Sequence, residues 1–406
     1  MGKRLDKRVG ILIVALAFCI LAVVNAESEP TIKVGAIFAM TGGASNLGAP
    51  EANTVRMFVD RINKSGGVNG YKIELIVKDS QTSPENAVLL ARQLIDKEKV
   101  LAIIGPSTTG ETMAIKNMCQ ESKTILISCA AAEDIVNPVV SYVFKTTPDD
   151  SDAVRRIFRV MKAKHISRIG VITSNDVFGI AGGKQLANLA DLAGIKIVFS
   201  EVYDQQQTDL TEILTRMKSQ DVQAVVNWSI VPVQGVVAKN MRQVGLNALL
   251  FQSHGYGNIK YVQEGGKAAN GTIFPCGRLL IAEMLPDGHP QKKLLVEYKK
   301  EYEGRFKEEA SSFGGYAYDA MLILVEAVKK AGSQDGEKVR AAIENLKGLV
   351  GTAGIFNFSS TDHSGLGMDA FEILTVKDGK FVLYKTDVGL SGQTREANES
   401  GKSANP

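Results

Sequence analysis

Hydroxyl-bearing residues that follow a short apolar stretch are the first candidates for binding chemistry. The run Val100–Gly105 predicts a buried strand, and Ser107, Thr108 and Thr109 come directly after it, before a predicted helix. A helix N-terminus with hydroxyls favours an anion, because its free N–H groups and its dipole both attract negative charge. These residues predict a carboxylate site, with simple N-capping by Ser or Thr as the alternative.

Small residues follow the next predicted strand, Thr124–Ser128. The sequence Cys129-Ala130-Ala131-Ala132 leaves room for a ligand and exposes main-chain N–H and C=O groups. Close packing against a neighbouring helix explains the same pattern equally well. Ala130 and Ala132 are therefore candidate contacts whose role depends on what lies above the strand end.

The elements that position these loops alternate between strand and helix. Thr31–Phe38 predicts a strand, and Glu51–Lys64 carries apolar residues at helical spacing. The alternation restarts after Pro148 and ends in a predicted hairpin around Asp378-Gly379. Such a pattern indicates the α/β class with two doubly wound lobes, in which ligands bind beyond the carboxyl ends of the strands.

The first 26 residues have the composition of a cleaved signal peptide. A basic start is followed by the apolar run Val9–Val24 and by small residues up to Ala26. A retained membrane anchor is the alternative, but the run is short for a span of about 20 residues. We therefore expect export, a periplasmic location, and a disordered polar tail at residues 391–406.

Charge, histidine and cysteine content exclude several classes of function. The excess of 47 Lys and Arg over 44 Asp and Glu comes from residues 1–26, so the exported chain is formally neutral and no nucleic-acid binding is expected. The histidines are scattered singly, and no cysteine pair has zinc-type spacing. We expect no metal and no cofactor. Cys119, Cys129 and Cys276 are interpreted as buried apolar residues.

Several short motifs are each modest, but their order and spacing together are specific to one family of proteins. They are Val34–Ala36, Met40–Gly43, Ile62–Gly70, Ile104–Ser107, Phe144–Pro148, Phe178–Gly179 and Tyr316–Ala320. Through them the chain resembles the leucine/isoleucine/valine-binding family of type I periplasmic binding proteins, which serve ABC importers. The resemblance covers nearly all of Thr31–Tyr384.

The resemblance implies a domain organisation and a set of partners. Lobe one would comprise 31–148 plus 277–353 and lobe two 149–276 plus 354–390, joined by three crossings near Pro148, Phe274–Gly277 and Ala353–Gly354. The partners would be a small carboxylate ligand and the membrane permease and ATPase of an importer. A monomer is expected.

The resemblance also implies ligand contacts on both sides of a cleft. Thr109, four residues after Gly105, would meet the ligand carboxylate. The remaining contacts are implied at Leu47, Ala130, Ala132, Asp150, Phe178, Ile230, His254 and Tyr318. Trp228 is added as a further flat wall, with a place in the core of lobe two as its alternative.

Two positions depart from the amino-acid binders of this family. These use a hydroxyl at the place of Ala132 and a carboxylate at the place of His254, both of which contact the ligand's ammonium group. Burying an ammonium without an anion costs at least a few kcal/mol. We therefore expect an aromatic or branched organic acid without an α-ammonium, while Asp150 keeps an amino-acid ligand open as the alternative.

Two other classes of function compete with solute import. An enzyme is not expected, because no GxSxG elbow is present and the single histidines have no evident nucleophile partner. A soluble protein that presents its ligand to a signalling partner remains an alternative to import.

Overall fold

The computed structural model describes residues 31–385 of the 406. The expected signal peptide at 1–26 and the expected polar tail at 391–406 lie outside the described residues. No helix in the described part combines the length and the apolar character needed to cross a membrane.

The first sheet is parallel and buried between helices. Its strands are β1 (Thr31–Phe38), β2 (Lys72–Asp79), β3 (Ala102–Ile104), β4 (Ile125–Ser128) and β5 (Val143–Lys145), in the order β2-β1-β3-β4-β5. Its helices are α1 (Ser45–Lys64), α2 (Pro84–Arg92) and α3 (Thr109–Ser122). We call this sheet and the elements packed on it lobe one.

A second strand–helix series follows. Its strands are β6 (Arg168–Ser174), β7 (Lys196–Tyr203), β8 (Ala224–Trp228), β9 (Leu249–Gln252) and β10 (Ile273–Cys276), and its helices are α4 (Asp150–Ala163), α5 (Val177–Ala190), α6 (Thr211–Lys218), α7 (Val237–Gln243) and α8 (Ile259–Gly265). We call this unit lobe two. The core strands are apolar on both sides, as expected where helices cover both faces of a sheet.

The C-terminal part serves both lobes. It contains α9 (Lys292–Phe306), α10 (Ser312–Ala331), α11 (Gly336–Glu344), the short ribbon β11 (Leu349–Val350) and β12 (Ile355–Phe356), and the hairpin β13 (Glu372–Lys377) and β14 (Lys380–Leu383). Helix α10 packs on α1, whereas the hairpin extends the second sheet to the order β14-β13-β10-β9-β8-β6-β7. The two-lobed α/β class expected from the sequence is confirmed.

The chain returns to lobe two later than the sequence indicated. We expected lobe two to resume at 354, but His363 O accepts the Lys145 N–H at 3.2 Å and His363 Nδ1 lies 2.8 Å from Val143 O. Residues 357–365 therefore lie along β5, inside lobe one. The reason is that β5 is an edge strand whose main-chain groups need partners.

A close approach of two strand ends requires glycine at position 105. Gly105 has φ +87°, and a Cβ there would lie 2.3 Å from Ile37 O. The residue is where β3 turns into the loop of Ser107 and Thr109. Glycine thus lets the loop fold back over the end of β1.

Substitution at Gly105 separates this steric requirement from backbone strain. Gly105→Ala should lower the free energy of unfolding by more than about 3 kcal/mol, because it adds a main-chain clash to the positive φ. Gly271→Ala is the matched control, since Gly271 has φ +88° and a Cβ added there would meet no atom within 4 Å. It should cost only about 1 kcal/mol. Urea unfolding followed by Trp228 fluorescence measures both, and equal losses would contradict the role of the contact.

Candidate functional site

A cavity lies between the carboxyl ends of the two sheets. It is lined from both lobes, by Leu47, Ser107, Thr109, Cys129, Ala130, Ala131, Thr147, Phe178, Ile230, His254, Gly255, Phe313 and Tyr316. Seven of the twelve residues proposed from the sequence are therefore brought together around one space: Leu47, Ser107, Thr109, Ala130, Phe178, Ile230 and His254.

The loop after β3 presents donors to this cavity. Ser107 and Thr109 line it, and Thr109 Oγ1 and N–H make no hydrogen bond within residues 31–385. Thr108 does not line it. Its hydroxyl caps α3 in a capping box with Glu111, so the capping alternative holds for this residue. The free groups of Thr109 and the start of α3 suit an anion.

The loop after β4 contributes small residues and main-chain groups to the wall of the cavity. Ala130 and Ala131 line the cavity, whereas Ala132 is fully buried in the core of lobe one and does not reach it. The expected contact at Ala132 is not made, because the chain turns there into a short 3₁₀ helix at Glu133–Ile135 and the Ala132 side chain packs in the core with Ile135. Burial raises the pKa of the Cys129 thiol well above its usual value, so this cysteine stays protonated.

Lobe two contributes an aromatic wall with one histidine. The His254 ring packs edge-on against Phe178 at 5.4 Å, Trp228 at 5.5 Å and Phe371 at 5.6 Å between ring centroids. Burial, assisted by the charge of Lys145, lowers the pKa of His254 to about 3. The ring is therefore neutral, with one N–H donor and one acceptor. Trp228 lies behind Phe178 and His254 in the core of lobe two, outside the cavity lining.

Asp150 lies beside the cavity rather than in its wall. It is 1% exposed, and its Oδ1 is 3.9 Å from His254 Nε2, too long for a hydrogen bond. Neither carboxylate oxygen has a partner within the described residues. Burial, partly offset by Lys145, raises the pKa of Asp150 to about 7. Asp176, which follows β6, caps α5 by accepting a hydrogen bond from Phe178 N–H.

Tyr318 faces away from the cavity, and Tyr316 lines it. The Tyr318 hydroxyl accepts a hydrogen bond from Arg61 at 3.0 Å, and its ring packs on Phe58 of α1. Residues two apart on a helix lie on nearly opposite faces. Tyr318 therefore belongs to the contact between α10 and α1, and Tyr316 and Phe313 form the cavity side of the same helix.

The sequence contained signals for some of the residues that were missed. Phe313 and Tyr316 are three apart near the start of α10, the spacing of one helical face. Thr147 lies within the motif Phe144–Pro148, next to the expected crossing. No signal in the sequence distinguished Ala131 from its two alanine neighbours.

Polar contacts hold the lobes together at the cavity mouth. Helix α1 begins at Ser45, six residues earlier than predicted, and so contains Pro50. Proline has no N–H, which leaves Asn46 O without its helical partner. Asn258 of lobe two donates to this oxygen at 2.8 Å. On the other side, Gln185 Nε2 donates to Glu133 at 3.3 Å.

Comparisons with known proteins agree with this architecture. A family model described as periplasmic binding protein matches residues 31–380. The chain belongs to this family. It is 25% identical over 374 residues to a Leu/Ile/Val-binding protein of Rhizobium johnstonii, covering 91% of this chain and 97% of the relative.

Solved structures also share the fold of this periplasmic binding protein. An extracellular ligand-binding receptor from Rhodopseudomonas palustris HaA2 matches with a TM-score of 0.82 and 25% identity, over 88% of this chain and 100% of the other. An ABC-transporter solute-binding protein from Rhodopseudomonas palustris BisB5, solved with 3,4-dihydroxy benzoic acid, has a TM-score of 0.73 and 24% identity, over 86% and 95%.

Family membership confirms the leucine/isoleucine/valine-binding resemblance and the class of function. The protein is a periplasmic binding protein, and its family is one of substrate-binding proteins and not of enzymes. Within residues 31–385 no group of three or more His, Cys, Asp or Glu side chains is placed to hold a metal ion.

Asn258 tests whether the contact across the mouth contributes to ligand capture. Asn258 Oδ1 accepts from Lys260 N and caps α8, while Nδ2 donates to Asn46 O. Asn258→Asp keeps the cap and removes the donor. We expect ligand affinity to fall about 5- to 10-fold, since one hydrogen bond that favours the closed state is lost. Calorimetric titration measures the affinity, and the melting temperature without ligand should stay nearly constant. Unchanged affinity would contradict the role in closure.

Asp150 predicts a pH dependence of stability. Because its pKa is raised from 3.8 to about 7, its contribution to stability is complete below about pH 4 and is lost as the pH rises through 7. Asp150→Asn should remove this loss and make the protein more stable than the wild type at pH 8, by roughly 4 kcal/mol at most. Urea unfolding of both proteins at pH 5 and pH 8 measures the difference. An equal pH dependence in the two proteins would refute the assignment.

Proposed function

We propose that this protein captures a small carboxylate without an α-ammonium group, outside the cytoplasm, and delivers it to an ABC importer. Aromatic and branched organic acids are the favoured ligands. The observation that carries this proposal is that no acidic side chain belongs to the cavity lining, where His254 is the one ionisable side chain of lobe two and is neutral.

The carboxylate end of the ligand fits the wall formed by lobe one. Thr109 offers a free hydroxyl and a free N–H, and the start of α3 adds the positive end of its dipole. Ala131 N–H also has no partner within the described residues. These neutral donors compensate a carboxylate without placing a counter-ion in the cavity.

The rest of the cavity fits an apolar body. Phe178 and Ile230 from lobe two face Leu47, Phe313 and Tyr316 from lobe one. Flat and branched walls of this kind favour an aromatic ring or a branched chain, because each contact replaces water at an apolar surface. The neutral His254 can exchange a hydrogen bond with a hydroxyl on such a body.

An ammonium group has no matching partner in the lining. The Asp150 oxygens are the nearest anionic candidates, but they lie behind His254 and outside the lining. Binding an α-ammonium would leave it facing neutral groups, which costs a few kcal/mol and about 100-fold in affinity.

The second candidate is an apolar amino acid, and a specific observation favours it. Both Asp150 oxygens lack partners within residues 31–385, and a small shift of His254 would expose them to a ligand ammonium. The relative from Rhizobium johnstonii is a Leu/Ile/Val-binding protein. The two candidates therefore differ in a single group of the ligand.

The mechanism of capture is closure of the two lobes. Cavity-lining residues come from both lobes, so the ligand stabilises the closed state by its differential affinity for that state. The contact between Asn258 and Asn46 O joins the lobes in that state. The membrane components would then recognise the closed surface.

Leucine and 4-methylpentanoate form the matched pair of ligands, since they differ only in the α-ammonium. We expect 4-methylpentanoate or benzoate to bind about 100-fold more tightly than leucine in calorimetric titration, because leucine would bury an ammonium group without an anionic partner. A thermal-shift screen of both ligand classes precedes the titration, because a ligand stabilises the fold more strongly the further its concentration exceeds its Kd. Tighter binding of leucine would establish the amino-acid alternative instead.

A further inference from the structure

We propose that Glu51 determines specificity by acting as a neutral acid that donates to Ser107, so that the Ser107 hydroxyl is free to donate to the ligand carboxylate. Glu51 does not line the cavity, and its role is to position the proton of a residue that does. This inference rests on the proposed carboxylate ligand and names the group that selects for it.

Glu51 is buried directly behind the donor loop. Its side chain is 0% exposed, and Oε2 is hydrogen-bonded to Ser107 Oγ. Ser107 Oγ also accepts the Ala39 N–H at 3.0 Å. Oε1 of Glu51 has no partner within the described residues. Among these residues, Ser107 is thus the one polar contact of a carboxyl group that has no access to water.

Because Ser107 can make only a few hydrogen bonds, the protonation state of Glu51 determines whether Ser107 presents a proton or a lone pair to the cavity. A hydroxyl has one proton and two lone pairs. If Glu51 is ionised, the Ser107 proton goes to Glu51, one lone pair receives Ala39 N–H, and the other lone pair faces the cavity. If Glu51 is protonated, both lone pairs are used by Ala39 and Glu51, and the Ser107 proton points into the cavity.

These two arrangements select opposite ligands. A lone pair at Ser107 repels a carboxylate and accepts from a donor such as an ammonium group. A proton at Ser107 donates to a carboxylate. Since a second negative charge behind Ser107 would also repel an anionic ligand, the neutral form of Glu51 is the one that matches the proposed function.

The surroundings of Glu51 favour its neutral form. Burial raises its pKa well above the usual value, the hydrogen bond to Ser107 opposes this, and the charge of Glu111 on α3 adds to the rise. The Cys129 thiol after β4 senses both Glu51 and Asp319. Helix α10 adds the Tyr316 hydroxyl and the buried Asp319, whose pKa burial raises to about 7. No lysine or arginine in the described part of the chain acts on Glu51.

A proton requirement of this kind gives the binding reaction a pH dependence. Above the pKa of Glu51 in the free protein, a carboxylate ligand must bind together with one proton, so its affinity falls up to about tenfold per pH unit. Benzoate and 4-methylpentanoate are fully ionised above about pH 6, so their own titration does not contribute.

The wild-type protein provides the first test. The probe is whichever of benzoate and 4-methylpentanoate binds more tightly, titrated calorimetrically at several pH values in two buffers of different ionisation heat. We expect proton uptake on binding and an affinity that falls as the pH rises. Release of a proton on binding, or an affinity that rises with pH, would overturn the proposal. Asp150→Asn is the control for the ionisation of Asp150, and proton uptake on ligand binding should persist in this variant.

Glu51→Gln provides the second test. Its amide donates to Ser107 at every pH, so we expect affinity within about threefold of the low-pH wild-type value, no proton uptake and no fall with pH. Ser107→Ala should lose about tenfold in affinity at low pH, and adding Glu51→Gln to it should change nothing further. A Glu51→Gln protein that still takes up a proton, or that loses as much affinity as Ser107→Ala, would contradict the mechanism.

These outcomes separate the two proposals. If neither organic acid binds the wild type and leucine does, the proposed function fails. If an organic acid binds but Glu51→Gln leaves the pH dependence intact, only the role of Glu51 fails. Thermal unfolding without ligand checks that both variants are folded.

Discussion

The buried ammonium group of Lys145 holds the site together. Its Nζ donates to Ala131 O at 3.1 Å and Thr147 O at 2.6 Å and pairs with Asp149 at 2.6 Å. All three of its donors are used, so a charge in a fully buried position is compensated without water. These bonds tie the loop after β4 to the first crossing between the lobes. The loop that forms part of the cavity wall and the segment that crosses between the lobes are therefore one unit.

The charge of Lys145 also sets the electrostatics on the side of lobe two. Burial lowers the pKa of His254 and raises that of Asp150, and the charge of Lys145 adds to the first shift and opposes the second. Since its own donors are occupied, Lys145 is not available as a direct partner for a ligand carboxylate. The cavity thus presents neutral dipoles to the ligand. Ionisable groups lie one layer behind them, Lys145 and Asp150 on one side and the buried Glu51 on the other. In such an arrangement, protons on hydroxyl and imidazole groups decide which ligands fit.

The proposed closure of the lobes and the proposed selection of the ligand involve different contacts. Asn258 reaches an oxygen that Pro50 leaves free at the mouth of the cleft, whereas Ser107 and Thr109 contact the cavity itself. Helix α1 connects the two features, because it carries Asn46, Pro50 and Glu51 in succession. One segment of this helix therefore contributes both to the joining of the lobes and to the proposed choice of ligand.

The sequence alone determined the class of fold and most of the elements. Periodicity located β1 to the residue, and turn residues located the hairpin at Asp378 and Gly379, both of which have positive φ. Apolar repeats predict such elements because burial of one face stabilises them. The same reasoning found the strand ends where the cavity lies, since parallel strands place their carboxyl ends at one edge. It missed β5, whose three residues are too few to show a period.

Only the tertiary structure decided which side chains face the cavity. It replaced Tyr318 by Tyr316, removed Ala132, Thr108 and Trp228 from the lining, and moved Asp150 behind His254. It also brought Glu51 to Ser107 across 56 residues, although Glu51 begins the predicted helix as a charged residue. Local patterns fix the identity of an element because they depend on neighbours in the chain. The direction of a side chain and the state of its proton depend on contacts between distant segments, which form only when both lobes are folded and brought together.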